Sequence, residues 1–349
     1  MEKYIELLKS LIAVPSLSRE EQDSARIIRQ FLTDSKVNYQ SKLNNTWIRN
    51  QYWKEGLPVV LLNSHTDTVK PASGYTRDPY SPDVENGVLY GLGSNDAGGP
   101  LVTLLAVFMH LNTERNLPYN LIFAATAEEE ISGVNGLACI LHELGPLDLA
   151  LVGEPTRMQM AIAEKGLLVL DCTAHGKSGH AARDEGENAI YKAMADIEKI
   201  RNFRFQKTSE ILGDVKMTVT LISAGTQHNV VPDTCSFVVD VRTNEHYSNQ
   251  QAFGFIDTLI ESEVIPRSFK LNSSGIPLNH PIVQRGIRLG LNYYGSPTTS
   301  DQAILPYSSL KIGPGDSARS HTANEYILIS ELEEGFRIYI DLLSGLDLK

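Results

Sequence analysis

The sequence predicts an α/β protein that carries a smaller α+β domain inserted within it. Up to about residue 165, strand-like apolar runs alternate with helical patterns, which is typical of helices flanking a mixed, mostly parallel sheet. Beyond Glu164 the pattern changes to strands with a two-residue period. The length of 349 residues also exceeds the size at which one hydrophobic core stops growing, so we expect two domains.

The N-terminal part is predicted to form a helix, a turn and a second helix. Ser18 and Glu21 have the spacing of a capping box, and apolar residues at helical spacing follow them. Strands are then predicted at 58–63, 121–126 and 147–152, with helices at 99–112 and 134–144. This alternation of strand and helix is the pattern of an α/β layer fold.

The remaining elements define the insert and the return to the first domain. Strands are predicted at 166–174, 216–223 and 234–242, and helices at 188–201 and 249–263. From about residue 276 a helix, a short strand and a last helix follow, the last capped by Ser330 with Glu333. We therefore expect a discontinuous catalytic domain of residues 1–165 and 275–349, and an inserted domain of residues 166–274.

Composition and charge exclude several classes of protein. The formal net charge of −11 argues against nucleic-acid binding, whose electrostatic footprint is basic. The N-terminal segment interleaves charged and apolar residues, unlike a signal peptide, and no later run is long enough for a membrane span. Three widely spaced cysteines do not form a disulfide framework or a cysteine zinc site. We expect a cytoplasmic protein that binds neither nucleic acid nor membrane.

Polar residues of the metal-binding type stand where predicted strands end. His65 and Asp67 follow the first strand and share one face of an extended chain, so the aspartate can orient a metal-binding histidine. Glu154 ends another strand. Glu128–Glu130 follow the strand at 121–126, although adjacent carboxylates oppose one another's ionisation.

Asp96 and His321 lie in predicted loops and complete this pattern. Each residue alone has an ordinary alternative, such as a helix N-cap for Asp96 or a solvated loop for His321. Together they are better explained as one site, because open α/β sheets bind ligands at the carboxyl ends of their strands. Two histidines and several carboxylates are the donors of a hydrolytic zinc site, and two ions would remove the repulsion within Glu128–Glu130.

A series of motifs carries a family resemblance over nearly the whole chain: HTD, SNDAGG, EEE, GEPT, SGHAAR, NVVPD and a C-terminal histidine. In this order they resemble the two-zinc amidohydrolases and exopeptidases, which include acetylornithine deacetylase, succinyl-diaminopimelate desuccinylase, aminoacylase and carboxypeptidase G. The resemblance implies that Asp96 bridges two divalent ions, with zinc expected and cobalt or manganese as alternatives. It implies that His65 and Glu154 complete one site, and Glu130 and His321 the other.

The same resemblance implies metal-assisted amide hydrolysis with Glu129 as the general base and Asp67 in a supporting catalytic role. It implies that the inserted domain acts as a lid and forms a homodimer. His180 would stabilise the tetrahedral oxyanion, in its own or the partner's site, with His175 as the alternative.

Two further positions, Asn229 and Arg242, match family residues that contact substrate. An arginine suits the grip of a carboxylate. The alternative for Arg242 is a salt bridge on its strand.

The resemblance also suggests a substrate. The segment HTDTVKPASGYTRDPYSP and the stretch VGEPT resemble the deacetylase branch, so we expect deacylation of N-acetyl- or N-succinyl-L-ornithine in arginine biosynthesis. Alternatives with the same chemistry are succinyl-diaminopimelate, acetyl-citrulline, acetyl-lysine and dipeptides. Alternatives of other classes are a non-catalytic binding protein and a metal-free hydrolase with paired carboxylates, which would leave His65 and His321 without roles.

Overall fold

The structure is a computed structural model, which describes residues 1–348, and the chain divides into two compact units. Unit 1 contains Met1–Ile162, Gly275–Tyr294 and the chain from Ser300 onward. Unit 2 contains Ala163–Ser274 and Gly295–Thr299.

The helices and strands are numbered in chain order. The α-helices are α1 Glu2–Ile12, α2 Gln22–Asp34, α3 Gly99–Leu111, α4 Leu137–Leu144, α5 Ala189–Asn202, α6 Asn249–Leu259, α7 Pro281–Arg288 and α8 Ile329–Leu343. The strands are β1 Gln40–Lys42, β2 Asn45–Arg49, β3 Val59–His65, β4 Val84–Glu85, β5 Val88–Tyr90, β6 Asn120–Thr126, β7 Leu149–Val152, β8 Met160–Glu164, β9 Gly166–His175, β10 Gly179–His180, β11 Lys216–Ala224, β12 Val230–Val231, β13 Thr234–Thr243, β14 Glu263–Pro266, β15 Ser274–Gly275, β16 Tyr293–Ser296, β17 Ser309–Lys311 and β18 Tyr326–Leu328.

The central sheet of unit 1 is mostly parallel, as predicted. Its order is β1-β2-β6-β3-β7-β17-β8, and the four strands β6, β3, β7 and β17 run parallel to one another. Both faces are covered, because Leu61 packs with Ile140 of α4 while its neighbour Leu62 packs with Leu104 of α3. The carboxyl ends of β3, β6 and β7 therefore meet at one edge of the sheet.

Unit 2 is an antiparallel sheet with two helices, which agrees with the predicted α+β character. The sheet order is β11-β13-β9-β14, and every neighbouring pair is antiparallel. Alternate residues of β9 are buried with residues of α5 and α6: Leu168, Leu170, Cys172 and Ala174. The two-residue period of the sequence thus reflects a sheet with one face covered by helices.

Both predicted capping boxes are wrong. The Ser18 hydroxyl donates to Asp67 Oδ2 at 2.6 Å, and Glu21 Oε1 accepts the N–H of Arg19. The last helix begins at Ile329, where Glu331 rather than Glu333 accepts a main-chain N–H. In the first of these motifs the side chains of Ser18 and Glu21 therefore bind other partners than a capping box requires.

All three cysteines are free thiols; Cys172 and Cys235 are buried, whereas Cys139 is partly exposed. Within residues 1–348, none of the helices has the length and apolar character needed to cross a bilayer.

Candidate metal centre

His65 is the last residue of β3 and is almost fully buried. Its Nδ1 lies 2.9 Å from the main-chain oxygen of Asp67, whereas the Asp67 carboxylate is farther away, at 3.4 Å. Asp67 therefore orients the imidazole mainly through its carbonyl group and less through its carboxylate. Donation from Nδ1 makes Nε2 the atom that carries the metal-binding lone pair when the ring is neutral.

The Asp67 carboxylate links the end of β3 to the glutamate triplet. It accepts the main-chain N–H groups of Glu129 at 3.0 Å and of Glu130 at 3.1 Å, together with the Ser18 hydroxyl. Burial alone would raise the pKa of Asp67, but hydrogen bonds from His65 and Ser18 bring that pKa below its usual range. The carboxylate is therefore charged and fixes the turn that presents the glutamates.

The three glutamates occupy a tight turn directly after β6. Glu128 has φ of +55°, a left-handed conformation that costs a non-glycine residue about 1–2 kcal/mol. Its carboxylate is buried and accepts both the N–H and the side-chain amide of Asn135. The chain therefore leaves the strand at Glu128, and the carboxylates of Glu129 and Glu130 face the two histidines.

Asp96 lies in the loop between β5 and α3 and stands between two imidazoles. Its Oδ1 is 3.3 Å from His65 Nε2, and its Oδ2 is 3.7 Å from His321 Nε2. The helix that follows begins at Gly99, and Asp96 makes no capping hydrogen bond to it. The alternative of a helix N-cap for Asp96 is therefore wrong.

Glu154, two residues beyond β7, places Oε1 3.7 Å from His65 Nε2. Glu129 Oε2 is 3.9 Å from the same nitrogen, and Glu130 Oε2 is 3.1 Å from His321 Nε2. Two sets of three donor atoms lie within 4.8 Å of one another: His65, Asp96 and Glu130, and His65, Glu129 and Glu154. Glu129 thus lies among the donors, and its assignment as base rather than ligand stays a prediction.

Burial and mutual repulsion shift two acids of this cluster, Glu129 and Glu154, towards their protonated forms. Burial raises the pKa of Glu129 well above its usual range and that of Glu154 to about 8, and neighbouring carboxylates add to both shifts. Burial would lower the pKa of His65, but the surrounding carboxylates, led by Glu129, raise it well above its usual range. The hydrogen bond to Glu130 raises the pKa of His321 to about 9.

The cluster of imidazole and carboxylate donors around His65 fits divalent cations. Within residues 1–348, the buried Nε2 of His65 has no hydrogen-bond partner, although three carboxylates lie within 3.9 Å of it. Such orphaned buried atoms are rare in proteins, and a cation between nitrogen and carboxylates would satisfy them all. Imidazole and carboxylate are also the usual zinc ligands, and the two oxygens of Asp96 face different imidazoles, as a bridging ligand requires.

The other predicted site residues, His180, Asn229 and Arg242, belong to unit 2. His180 of β10 pairs with Val230 of β12, which places it beside Asn229. Its Nδ1 accepts the N–H of Ala182, so the ring proton lies on Nε2 and can be donated. The alternative, His175, is engaged by Glu263 at 3.2 Å.

Arg242 forms the ion pair on its strand that the sequence left as an alternative. Nε and Nη2 donate to the two carboxylate oxygens of Asp240 at 2.8 and 3.0 Å, and Nη1 donates to Thr299 at 3.3 Å. Contact between Arg242 and substrate stays a prediction.

Three buried acids at the centre make contacts that the sequence did not assign. Glu21 accepts the N–H of Glu128 at 3.1 Å and the Asn44 side chain at 2.7 Å. Asp301 accepts the Thr126 hydroxyl at 2.9 Å, and Glu325 binds the main chain of the Asp96 loop. The spacing of Ser18 and Glu21 marks Glu21 in the sequence, but no local pattern indicates the distant residues that these three acids contact.

Comparisons with known proteins agree with this geometry. Residues 61–345 match the family described as "Peptidase family M20/M25/M40". A succinyl-diaminopimelate desuccinylase of Xylella fastidiosa (strain M23) is 26% identical over 365 residues, covering 95% of this chain and 96% of the relative. A LysW-lysine/LysW-ornithine hydrolase of Sulfurisphaera tokodaii is 29% identical over 360 residues, covering 99% and 96%. The crystal structure of a dinuclear metal-binding M20 peptidase from Bacillus subtilis superposes with a TM-score of 0.72 at 17% identity, covering 100% and 99%.

The fold and the donor cluster define a metal-dependent amidohydrolase. The chain belongs to peptidase family M20/M25/M40, as the match over residues 61–345 shows. The predicted family and class of reaction are thus confirmed.

Proposed function

We propose that the protein hydrolyses the amide bond of an N-acylated diamino acid, with N-succinyl-diaminopimelate as the first candidate substrate. The single observation that carries the hydrolytic site is Asp96, whose two oxygens face His65 and His321 while Glu129 lies beside them. The substrate class follows from the relatives, since diaminopimelate, lysine and ornithine are all diamino acids.

The proposed ligands are His65, Asp96 and Glu154 for one ion, and Asp96, Glu130 and His321 for the other. When bound, such ions polarise the amide carbonyl and lower the pKa of water. Zinc is the proposed metal, because both imidazoles and carboxylates suit it.

Glu129 is proposed to move the proton. Its carboxylate takes a proton from the attacking water and delivers it to the leaving amine nitrogen, so that the C–N bond breaks with a neutral leaving group. The raised pKa of Glu129 suits this role, because a higher proton affinity lets the carboxylate hold the proton between the two steps. Asp67 supports the reaction by fixing both Glu129 and His65.

Unit 2 is proposed to supply oxyanion and substrate contacts. His180 can donate from Nε2 to a developing oxyanion, and Asn229 stands beside it. Arg242 is proposed to bind a substrate carboxylate, with Asp240 holding the guanidinium in place.

A homodimer through unit 2 is also proposed. The edge strand β11 exposes Leu221 and Ile222 to 63% and 56%, and α5 exposes Tyr191 and Met194 to 70% and 57%. An unpaired edge with exposed apolar side chains is typical of a covered surface.

The acetylornithine substrate expected from the sequence, and with it arginine biosynthesis, receives no support from the names of the relatives. A second candidate is release of lysine or ornithine from a conjugate with LysW, favoured by the 29% identity to the Sulfurisphaera tokodaii hydrolase over 99% of the chain.

A substrate panel tests the proposal. Zinc-loaded protein would be assayed for amine release from N-succinyl-diaminopimelate, N-acetyl- and N-succinyl-ornithine, acetyl-citrulline, acetyl-lysine and LysW-lysine, with Glu129→Gln as the inactive control. We expect the highest kcat/KM for a succinylated diamino acid. Preference for acetyl-citrulline or for a dipeptide would contradict the proposed substrate class, and no activity on any amide would contradict the proposed reaction.

A further inference from the structure

Glu325 lies four residues beyond His321 and is buried, with 2% of its surface exposed. Its carboxylate accepts three main-chain N–H groups from the loop that carries Asp96. Oε1 binds Asn95 and Asp96 at 2.9 Å each, and Oε2 binds Gly93 at 3.1 Å. We propose that Glu325 is a positioning residue that holds Asp96 at the distance at which it bridges two metal ions. This inference rests on the proposed metal site.

The geometry requires a carboxylate at this position. Three N–H donors converge on one side chain, and only a carboxylate offers an acceptor in each direction. In a glutamine the amide oxygen could serve Asn95 and Asp96, but its NH2 group would then oppose the N–H of Gly93. Burying an acid beside Asp96 is also unfavourable unless the charge is hydrogen-bonded or a cation lies near it. The residue therefore suits a site that binds positive ions.

The Asp96 loop is fixed to the His321 segment from a second side. Asn95 is fully buried, accepts the N–H of Asp316 at 2.9 Å and donates to the oxygen of Asp316 at 3.1 Å. The segment from Asp316 to Glu325, which carries His321, is thus hydrogen-bonded to the Asp96 loop through both of its terminal residues. Glu325 sets the spacing between two ligands that are far apart in the chain.

The two sides of Asp96 differ in how firmly they are held. His65 is buried and oriented by Asp67, whereas the His321 side chain is 55% exposed. If the loop loses Glu325, the ion between Asp96, Glu130 and His321 should therefore be lost first. The ion beside His65 should remain.

The test is metal binding by the full-length protein, independent of catalysis. Metal-free wild type, Glu325→Gln and Asp196→Asn would be titrated with Zn²⁺ by calorimetry and with Co²⁺ by absorption spectroscopy. Asp196 is a matched control, because it is a buried carboxylate of unit 2 that accepts the N–H groups of Glu261 and Ser262. Thermal melts would show whether each variant is folded.

We expect wild type and Asp196→Asn to bind two ions. Glu325→Gln should bind one ion with wild-type affinity and the second at least about tenfold more weakly, which is the usual loss of affinity when a residue that supports a metal ligand is replaced. If Glu325→Gln does not fold, Glu325→Asp keeps the charge but retracts it by one methylene group and should show the same selective loss. Two ions bound with wild-type affinity by a folded Glu325 variant, or equal weakening of both ions, would overturn this inference alone. Failure of the wild type to bind two ions would overturn the proposed metal site as well.

Discussion

Removing the metal should make the free energy of unfolding fall as the pH rises. In the metal-free folded protein, burial raises the pKa of Glu154 to about 8, whereas an unfolded glutamate titrates near about 4.3. Between these values the folded state holds one proton more than the unfolded state, so stability decreases by up to about 1.4 kcal/mol per pH unit. His321 acts in the same direction, because the stability from its pKa of about 9 is present below its unfolded pKa and is lost as the pH rises through 9.

The expected magnitude follows from Glu154. From pH 5 to pH 8 its contribution reaches at most about 4 kcal/mol, and structural relaxation should leave about 2 kcal/mol of it. Divalent ions should reverse the trend, since they bind only the deprotonated ligands and therefore stabilise the folded state more at higher pH.

The assay is urea unfolding of chelator-treated protein at pH 5, 6.5 and 8, with and without added Zn²⁺. Glu154→Gln is the matched control, because it keeps the shape of the side chain but cannot ionise. The difference in pH dependence between wild type and this variant isolates Glu154. If the two metal-free proteins lose stability equally with pH, or if the wild type gains stability relative to the variant, the reasoning is wrong.

The remaining predictions concern individual residues. Glu129→Gln should lower kcat by about 10²–10⁴-fold with its metal content retained, whereas Glu130→Gln should bind less metal, as measured by elemental analysis. The reverse pattern would make Glu130 the general base and Glu129 the metal ligand. His180→Ala should lower kcat by about 10²–10³-fold at unchanged metal content and melting temperature, while His175→Ala, which removes an exposed pair of small energy, should change kcat by less than about twofold. Leu221→Asp should convert a dimer into a monomer in light scattering, and an unchanged mass would exclude the β11 edge from the interface.

The elements that build the site could be predicted because their signals are local. Apolar runs such as 121–126 and the polar residues that end them mark strand ends, and a parallel sheet brings such ends to one edge. His65, Glu129 and Glu154 therefore meet as the strand order requires. The order of motifs along the chain supplied the loop residues.

The supporting contacts could not be predicted, because they join segments far apart in the chain. Ser18 and Asp67 are separated by 49 residues, and Glu21 and Glu128 by 107. The spacing of Ser18 and Glu21 is also that of a capping box, so the sequence predicts a local contact in place of the two long-range ones. Arg242 is a contrasting case, because its bidentate partner Asp240 is only two residues away and the sequence already offered a salt bridge on the strand as an alternative.

The contacts of Ser18 and Glu21 have a consequence for the N-terminal segment. Ser18 and Glu21 both precede residue 61, where the match to the family begins. Even so, they hold the turn that presents the glutamates: Ser18 binds Asp67, and Glu21 binds the main chain of Glu128. An N-terminal truncation that spares every metal ligand and the central sheet would still remove this support. Variation in the first twenty-one residues should therefore change turnover, although none of these residues is a proposed metal ligand.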